Sequence, residues 1–140
     1  MDEYPDRWEM VIPDFWPVGL NKTLHAHWAI VCKHKRNAQF QLMVYALEAG
    51  NPTFEGKCRV TITRRWGKGQ RAMDDDNLWG SVKALVDGLR PPKGRGRHKQ
   101  GGMGIITDDN PKHCKLIVQQ HKSEDGTLST HILIEGKLIK

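Results

Sequence analysis

The sequence predicts an α+β domain, a small mixed β-sheet flanked by two helices. Three observations carry that reading. A segment of clean apolar/polar alternation lies mid-chain, a stretch with helical apolar spacing stands on each side of it, and two further strand-like segments follow near the C-terminus. The order strand, helix, strand, helix, strand, strand fits a mixed sheet with helices packed on it. At 140 residues the chain is read as a single domain, 1–140, large enough to bury a core and too short for two.

Residues 8–16, WEMVIPDFW, read as a short first strand limited by Pro13 and Pro17, with the loop PVGLNKTLHAH after it. From Trp28 to Ala49 the spacing predicts a helix. Val31, Ala38, Leu42, Tyr45, Ala46 and Ala49 fall near one face, and Gly50-Asn51-Pro52 stops it. In KCRVTITRRW, residues 57–66, Cys58, Val60 and Ile62 point one way and Arg59, Thr61, Thr63 and Arg65 the other, the pattern of a half-buried strand. Leu78, Val82, Leu85, Val86 and Leu89 then form one apolar helical stripe that Pro91-Pro92 ends. Residues 91–104, PPKGRGRHKQGGMG, read as a flexible basic loop rich in glycine and without an acid. GIIT at 104–107 is strand-like. The last two strands are KHCKLIVQQHK and LSTHILIEG, joined by the turn SEDG.

Hydrophobic content of 38% and charged content of 27% are those of a soluble globular protein, and the net charge of +6 points to a polyanionic partner, nucleic acid first. The acidic start MDEYPDRWEM has no apolar core, so it is not a signal peptide. No stretch reaches the ~20 apolar residues of a membrane span, so no membrane partner is expected. Three cysteines, odd in number and far apart, argue against a disulfide framework and for a reducing, cytoplasmic location.

Against that positive balance, Asp74, Asp75 and Asp76 stand in a row where a strand gives way to a helix. Like charges about 4 Å apart repel by roughly 1 kcal/mol in water and by more when partly buried. If the backbone is still extended there, Asp74 and Asp76 share a face, and two carboxylates side by side suit Mg²⁺, which takes one or two of them with water and phosphate. Asp108 and Asp109 form a second acidic pair. Structural alternatives stand beside this. Asp76 could N-cap the helix beginning near Asn77, and Asp108-Asp109-Asn110-Pro111 could be an ordinary turn. A cap needs one carboxylate, not three.

These residues resemble the RusA-like Holliday junction resolvases, small endonucleases frequent in phages and prophages. The resemblance runs over roughly residues 59–120 and rests on Asp74-Asp75-Asp76-Asn77, on Lys83 with Asp87 in KALVDGL, and on Asp108-Asp109. It implies a Mg²⁺ site, with Mn²⁺ able to substitute, held by Asp74, Asp76 and Asp109, with Asp108 the alternative in the downstream pair. Lys83 is then the basic residue that aids catalysis or grips phosphate. The commoner family form has its lysine three residues after the asparagine, where this chain has Gly80. Three residues turn a helix by about 300° and advance it about 4.5 Å, which keeps Lys83 near the same face but one turn deeper. Its structural alternative is an i,i+4 pair with Asp87.

What the resemblance implies is paired, symmetric cleavage of four-way DNA junctions, in recombination or repair, by a homodimer whose symmetry matches the junction. Phosphate contacts are expected from Arg64, Arg65, Lys68, Arg71, Lys83, the loop residues Lys93, Arg95, Arg97 and Lys99, and KHKR at 33–36. Two alternatives are a nuclease for flaps or forks and a basic DNA-binding protein without catalysis. Zinc is set aside, since His25, His27, Cys32 and His34 match no finger spacing and His113-Cys114 face opposite sides of a strand. Trp8, Phe15 and Trp16 serve the core or a dimer interface.

Overall fold

The computed structural model describes residues 3–19, 27–93 and 102–139. Its centre is the alternating segment. Strand β2 (Phe54–Trp66) pairs in parallel with β3 (Cys114–Lys122) and antiparallel with β4 (Ser129–Leu138), and β1 (Asp6–Pro13) adds to the far edge of β4. The sheet order is therefore β1-β4-β2-β3. A parallel pair needs a crossover, and two helices between β2 and β3 provide it: α2 (Asp75–Ser81) and α3 (Lys83–Leu89). The long helix α1 (Trp28–Glu48) precedes β2. The expected α+β domain with a mixed sheet is what the chain forms.

The inward side chains of the sheet, Met10, Ile12, Val60, Ile62, Ile132 and Ile134, are buried in one cluster with Ala38, Leu42 and Ala46 of α1 and Leu85 and Leu89 of α3. Each such aliphatic side chain is worth about 1.5–3 kcal/mol of burial. Cys58 and Cys114, distant in sequence, are register partners on β2 and β3; both are buried free thiols whose pKa burial pushes up, that of Cys114 to about 11.

Local chemistry moves several boundaries. The first strand stops at Pro13 rather than Trp16, because Asp14 takes a left-handed φ of 53°. Phe15 and Trp16 still pack on the core, as Trp8 does, and all three are half-buried. Helix α1 ends at Glu48, and left-handed Gly50 (φ 100°) and Asn51 (φ 42°) turn the chain away, leaving Ala49 exposed as its C-cap. The single second helix expected from the stripe is two helices, interrupted at Val82. Ser81 explains the break. Its Oγ donates to the Leu78 carbonyl at 2.6 Å and accepts Trp16 Nε1 at 2.9 Å, so a side chain competes with the backbone ladder.

GIIT is a bend, not a strand. The Ile105 and Ile106 N–H groups both donate to the Leu89 carbonyl, at 2.8 and 3.2 Å, and their side chains are fully buried, so the segment plugs the end of α3. Close approach makes this possible: a Cβ on Gly102 would lie 2.1 Å from the Gly88 carbonyl oxygen. Among the described residues no helix is long and apolar enough to cross a membrane.

Candidate functional site

The acidic triplet is held in place by a polar clamp. Arg64 follows Ile62 on the inward side of β2, so its guanidinium enters the fold where the apolar core ends. Nη1 donates to the Arg71 carbonyl at 2.9 Å and to Gln120 Oε1 at 3.2 Å. Gln120, on β3, also accepts from Met73 N–H at 2.9 Å and donates to the Met73 carbonyl at 2.6 Å. Residues 71–73 are thereby tied to two neighbouring strands just before Asp74.

Asp74 is the N-cap of α2. Its ψ is 158°, and its Oδ1 accepts from the Asn77 N–H at 2.8 Å. Asp75 and Asp76 already lie in the first helical turn, where negative charge suits the helix dipole. Two expectations change as a result. The cap is Asp74 rather than Asp76, and the backbone is not extended through all three acids, so alternation does not set their directions. All three are exposed, and among the described residues none has a lysine or arginine within ion-pair distance.

The downstream pair is the opposite case. Asp108 Oδ1 accepts from the Asp109 N–H at 2.8 Å, and Oδ2 accepts from Asn110 Nδ2 at 3.1 Å, the turn chemistry of the structural alternative. Lys93 Nζ lies 3.1 Å from Asp108 and 3.5 Å from Asp109. Arg90 Nε sits 3.6 Å from Asp109 and 3.5 Å from the buried Asp87, which also meets Lys35 Nζ at 3.3 Å. Alternating charge thus runs Lys35, Asp87, Arg90, Asp109, Lys93, Asp108. The Asp109 backbone N–H above all, then the Asp109 side chain and Lys93, hold the Asp108 carboxyl down at about 2.

Lys83 is exposed at the start of α3 and lines a cleft of about 300 Å³ with His34, Lys35 and Asp87. The i,i+4 pair with Asp87, the structural alternative for Lys83, is not made: Asp87 pairs with Lys35 and Arg90 instead. The break at Val82 also separates Lys83 from the helix that Asp74 caps, so a continuous helical wheel does not relate them. Of the expected phosphate contacts, Lys68 and Arg71 are exposed, Arg65 is half-buried on the other sheet face, and Lys93 is occupied by Asp108 and Asp109. Arg95, Arg97 and Lys99 lie outside the described residues, as does His25. His27 caps α1 through Nδ1.

Among the described residues no three His, Cys, Asp or Glu side chains come together as a metal-ligating group. The structure therefore does not pre-assemble Asp74, Asp76 and Asp109. The donor chemistry of Asp74 and Asp76 nonetheless fits a hard divalent cation, which takes one or two protein carboxylates and completes its shell with water and substrate phosphate. To join them, Asp109 would first have to leave Arg90 and Lys93. Sequence reasoning missed the Arg64–Gln120 clamp and the buried Asp87–Arg90 pair. One signal was present: Arg64 falls on the apolar side of the β2 alternation, where a charge is out of place.

No family model matches the chain, and no curated protein matches it.

Proposed function

We propose that this protein is a magnesium-dependent endonuclease that hydrolyses phosphodiesters in branched DNA, four-way junctions above all. The observation that carries the proposal is the triplet Asp74–Asp76, three exposed carboxylates without a cation partner among the described residues, held out by a clamp in a chain of net charge +6. Capping uses only Asp74. Asp74 and Asp76 would hold the ion, Mg²⁺ or Mn²⁺, with Asp109 as the third carboxylate. When bound, such an ion polarises a phosphoryl oxygen and lowers the pKa of a water.

The chain's own residues bind and orient the substrate. Lys83, exposed beside His34 and Lys35, brings positive charge to a phosphate. Arg65, Arg71 and Lys68 add contacts that position DNA without reading bases and that weaken with salt. A homodimer would match the two-fold symmetry of a junction. The test is a synthetic mobile four-way junction incubated with and without Mg²⁺, beside linear duplex and flap substrates. Paired symmetric nicks that need Mg²⁺ are expected; preferred cutting of the flap would reassign the substrate to other branched DNA.

A second reading, a basic DNA-binding protein without catalysis, draws on the structural work these acids do. Asp74 caps α2, and Asp109 is paired with Arg90 and Lys93. Binding of the junction without any cutting selects it.

A further inference from the structure

We propose that the cleft floored by Arg64 is a binding site for a phosphoryl oxyanion, a backbone phosphodiester of the nucleic acid that passes beside Asp74. The choice of phosphodiester rests on the nucleic-acid reading above; the need for an anion rests on Arg64 itself. The residue is 7% exposed, and a guanidinium carries five N–H donors. Among the described residues only Nη1 is used, on two neutral oxygens, and the buried Nε has no hydrogen-bond partner. Among the described residues no carboxylate lies within ion-pair distance of it. Burial alone acts on its pKa, downward.

Two other arginines show what is missing. Arg59 holds Glu135 with two hydrogen bonds of 2.9 and 3.0 Å, and Arg90, whose Nε like that of Arg64 and Arg65 makes no hydrogen bond among the described residues, has the carboxylates of Asp87 and Asp109 at ion-pair distance, 3.5 and 3.6 Å. Arg64 is at least as buried as either and, among the described residues, has only amide oxygens and the Trp66 ring, 5.9 Å from its centre. A buried cation without a counter-ion carries an uncompensated desolvation cost that a bound anion offsets.

The cleft suits that anion. Its volume is about 350 Å³, and Trp16, Gly19, Gln70, Met73 and Asn77 share its lining with Arg64. Among the described residues no acid lines it, and two carboxamides carry N–H donors suited to phosphate oxygens. Gly19 lets Asn77 and Met73 pack against the chain at the cleft wall, because a Cβ there would lie 2.7 Å from Asn77 Oδ1 and 2.9 Å from the Met73 methyl. Arg64 grips the carbonyl of Arg71, three residues before Asp74, so a phosphate held here lies next to the acidic triplet. A planar guanidinium fork matches phosphate geometry better than a lysine does.

The test uses the full chain without metal. The Arg64 side-chain Nε–Hε resonance, assigned by its loss in Arg64→Lys, is followed while inorganic phosphate, and separately a thymidine tetranucleotide, is added against chloride of equal ionic strength. A saturable shift with phosphate or the tetranucleotide, absent with chloride, is expected. Arg64→Lys should weaken that binding about tenfold, as the loss of one charge-assisted hydrogen bond would. If Arg64→Lys does not fold, the resonance is assigned by through-bond correlation to the Arg64 backbone, and Gln70→Ala replaces it as the binding variant and should weaken binding severalfold. Saturation at Arg64 in a protein that never cuts a junction supports the site and overturns the nuclease. Junction cutting with no saturable shift from either probe overturns the site and leaves the nuclease standing.

Discussion

The two acidic clusters are alike in sequence and opposite in structure. Asp108 and Asp109 are neutralised within the fold by Lys93 and Arg90 and belong to a charge chain that reaches buried Asp87. Asp74, Asp75 and Asp76 are exposed, and among the described residues no cation meets them. Adjacent carboxylates are therefore not one signal. One cluster has its charge satisfied inside the protein; the other presents its charge to solvent. Any metal chemistry then starts at Asp74 and Asp76, and Asp109 joins only by giving up existing partners.

The largest effect tests the satisfied side. Asp87→Ala strands Lys35 and Arg90 around a buried gap, and the loss should be about 3–5 kcal/mol, read from urea unfolding. If the variant is as stable as the parent, the charge chain is surface decoration. Next comes the open side. Asp76→Asn should leave urea stability near that of the parent yet reduce Mg²⁺-dependent junction cleavage at least about a hundredfold, a transition-state loss of roughly 2.7 kcal/mol. Unchanged cleavage removes Asp76 from the site.

A smaller contrast separates the two jobs of Asp74. Asparagine caps a helix nearly as well as aspartate, whereas alanine loses about 1 kcal/mol. Asp74→Asn should keep stability and lose cleavage; Asp74→Ala should lose both. Equal cleavage by Asp74→Asn and the parent would leave Asp74 a cap and nothing more. The smallest effect is in acid. Asp108, held at about 2 against the usual carboxylate value near ~4, stabilises the fold above pH ~4, and that contribution fades as pH falls towards 2. Asp125, held at about 2 by Ser123 and Thr127, behaves the same way. Unfolding midpoints measured from pH 5 to 2 should fall less steeply in Asp108→Asn, and identical slopes would contradict the assignment.

Much of the fold could be read from the chain because its signals are local. Alternation in 57–66 and helical spacing in 28–49 are set by neighbours a few residues apart, and β2 and α1 formed nearly where expected. Contacts that span the chain were not legible. Ser81 meets Trp16 across 65 residues and breaks the second helix, and Ile105 and Ile106 trade strand pairing for the end of α3. The same holds at the site. The acids stand out because they are adjacent, whereas the clamp joining Arg64, Arg71, Met73 and Gln120 has no period and no motif. Sequence adjacency showed where the acids lie; only packing showed which of them are already neutralised.

That distinction comes down to where a divalent ion settles. Mn²⁺ added in small amounts to ¹⁵N-labelled wild-type protein, with a short junction arm present, broadens the amide signals nearest to it. Broadening centred on residues 74–77 is expected, whether or not Asp109 is drawn in. Unchanged signals at 74–77, with or without broadening elsewhere, would contradict it.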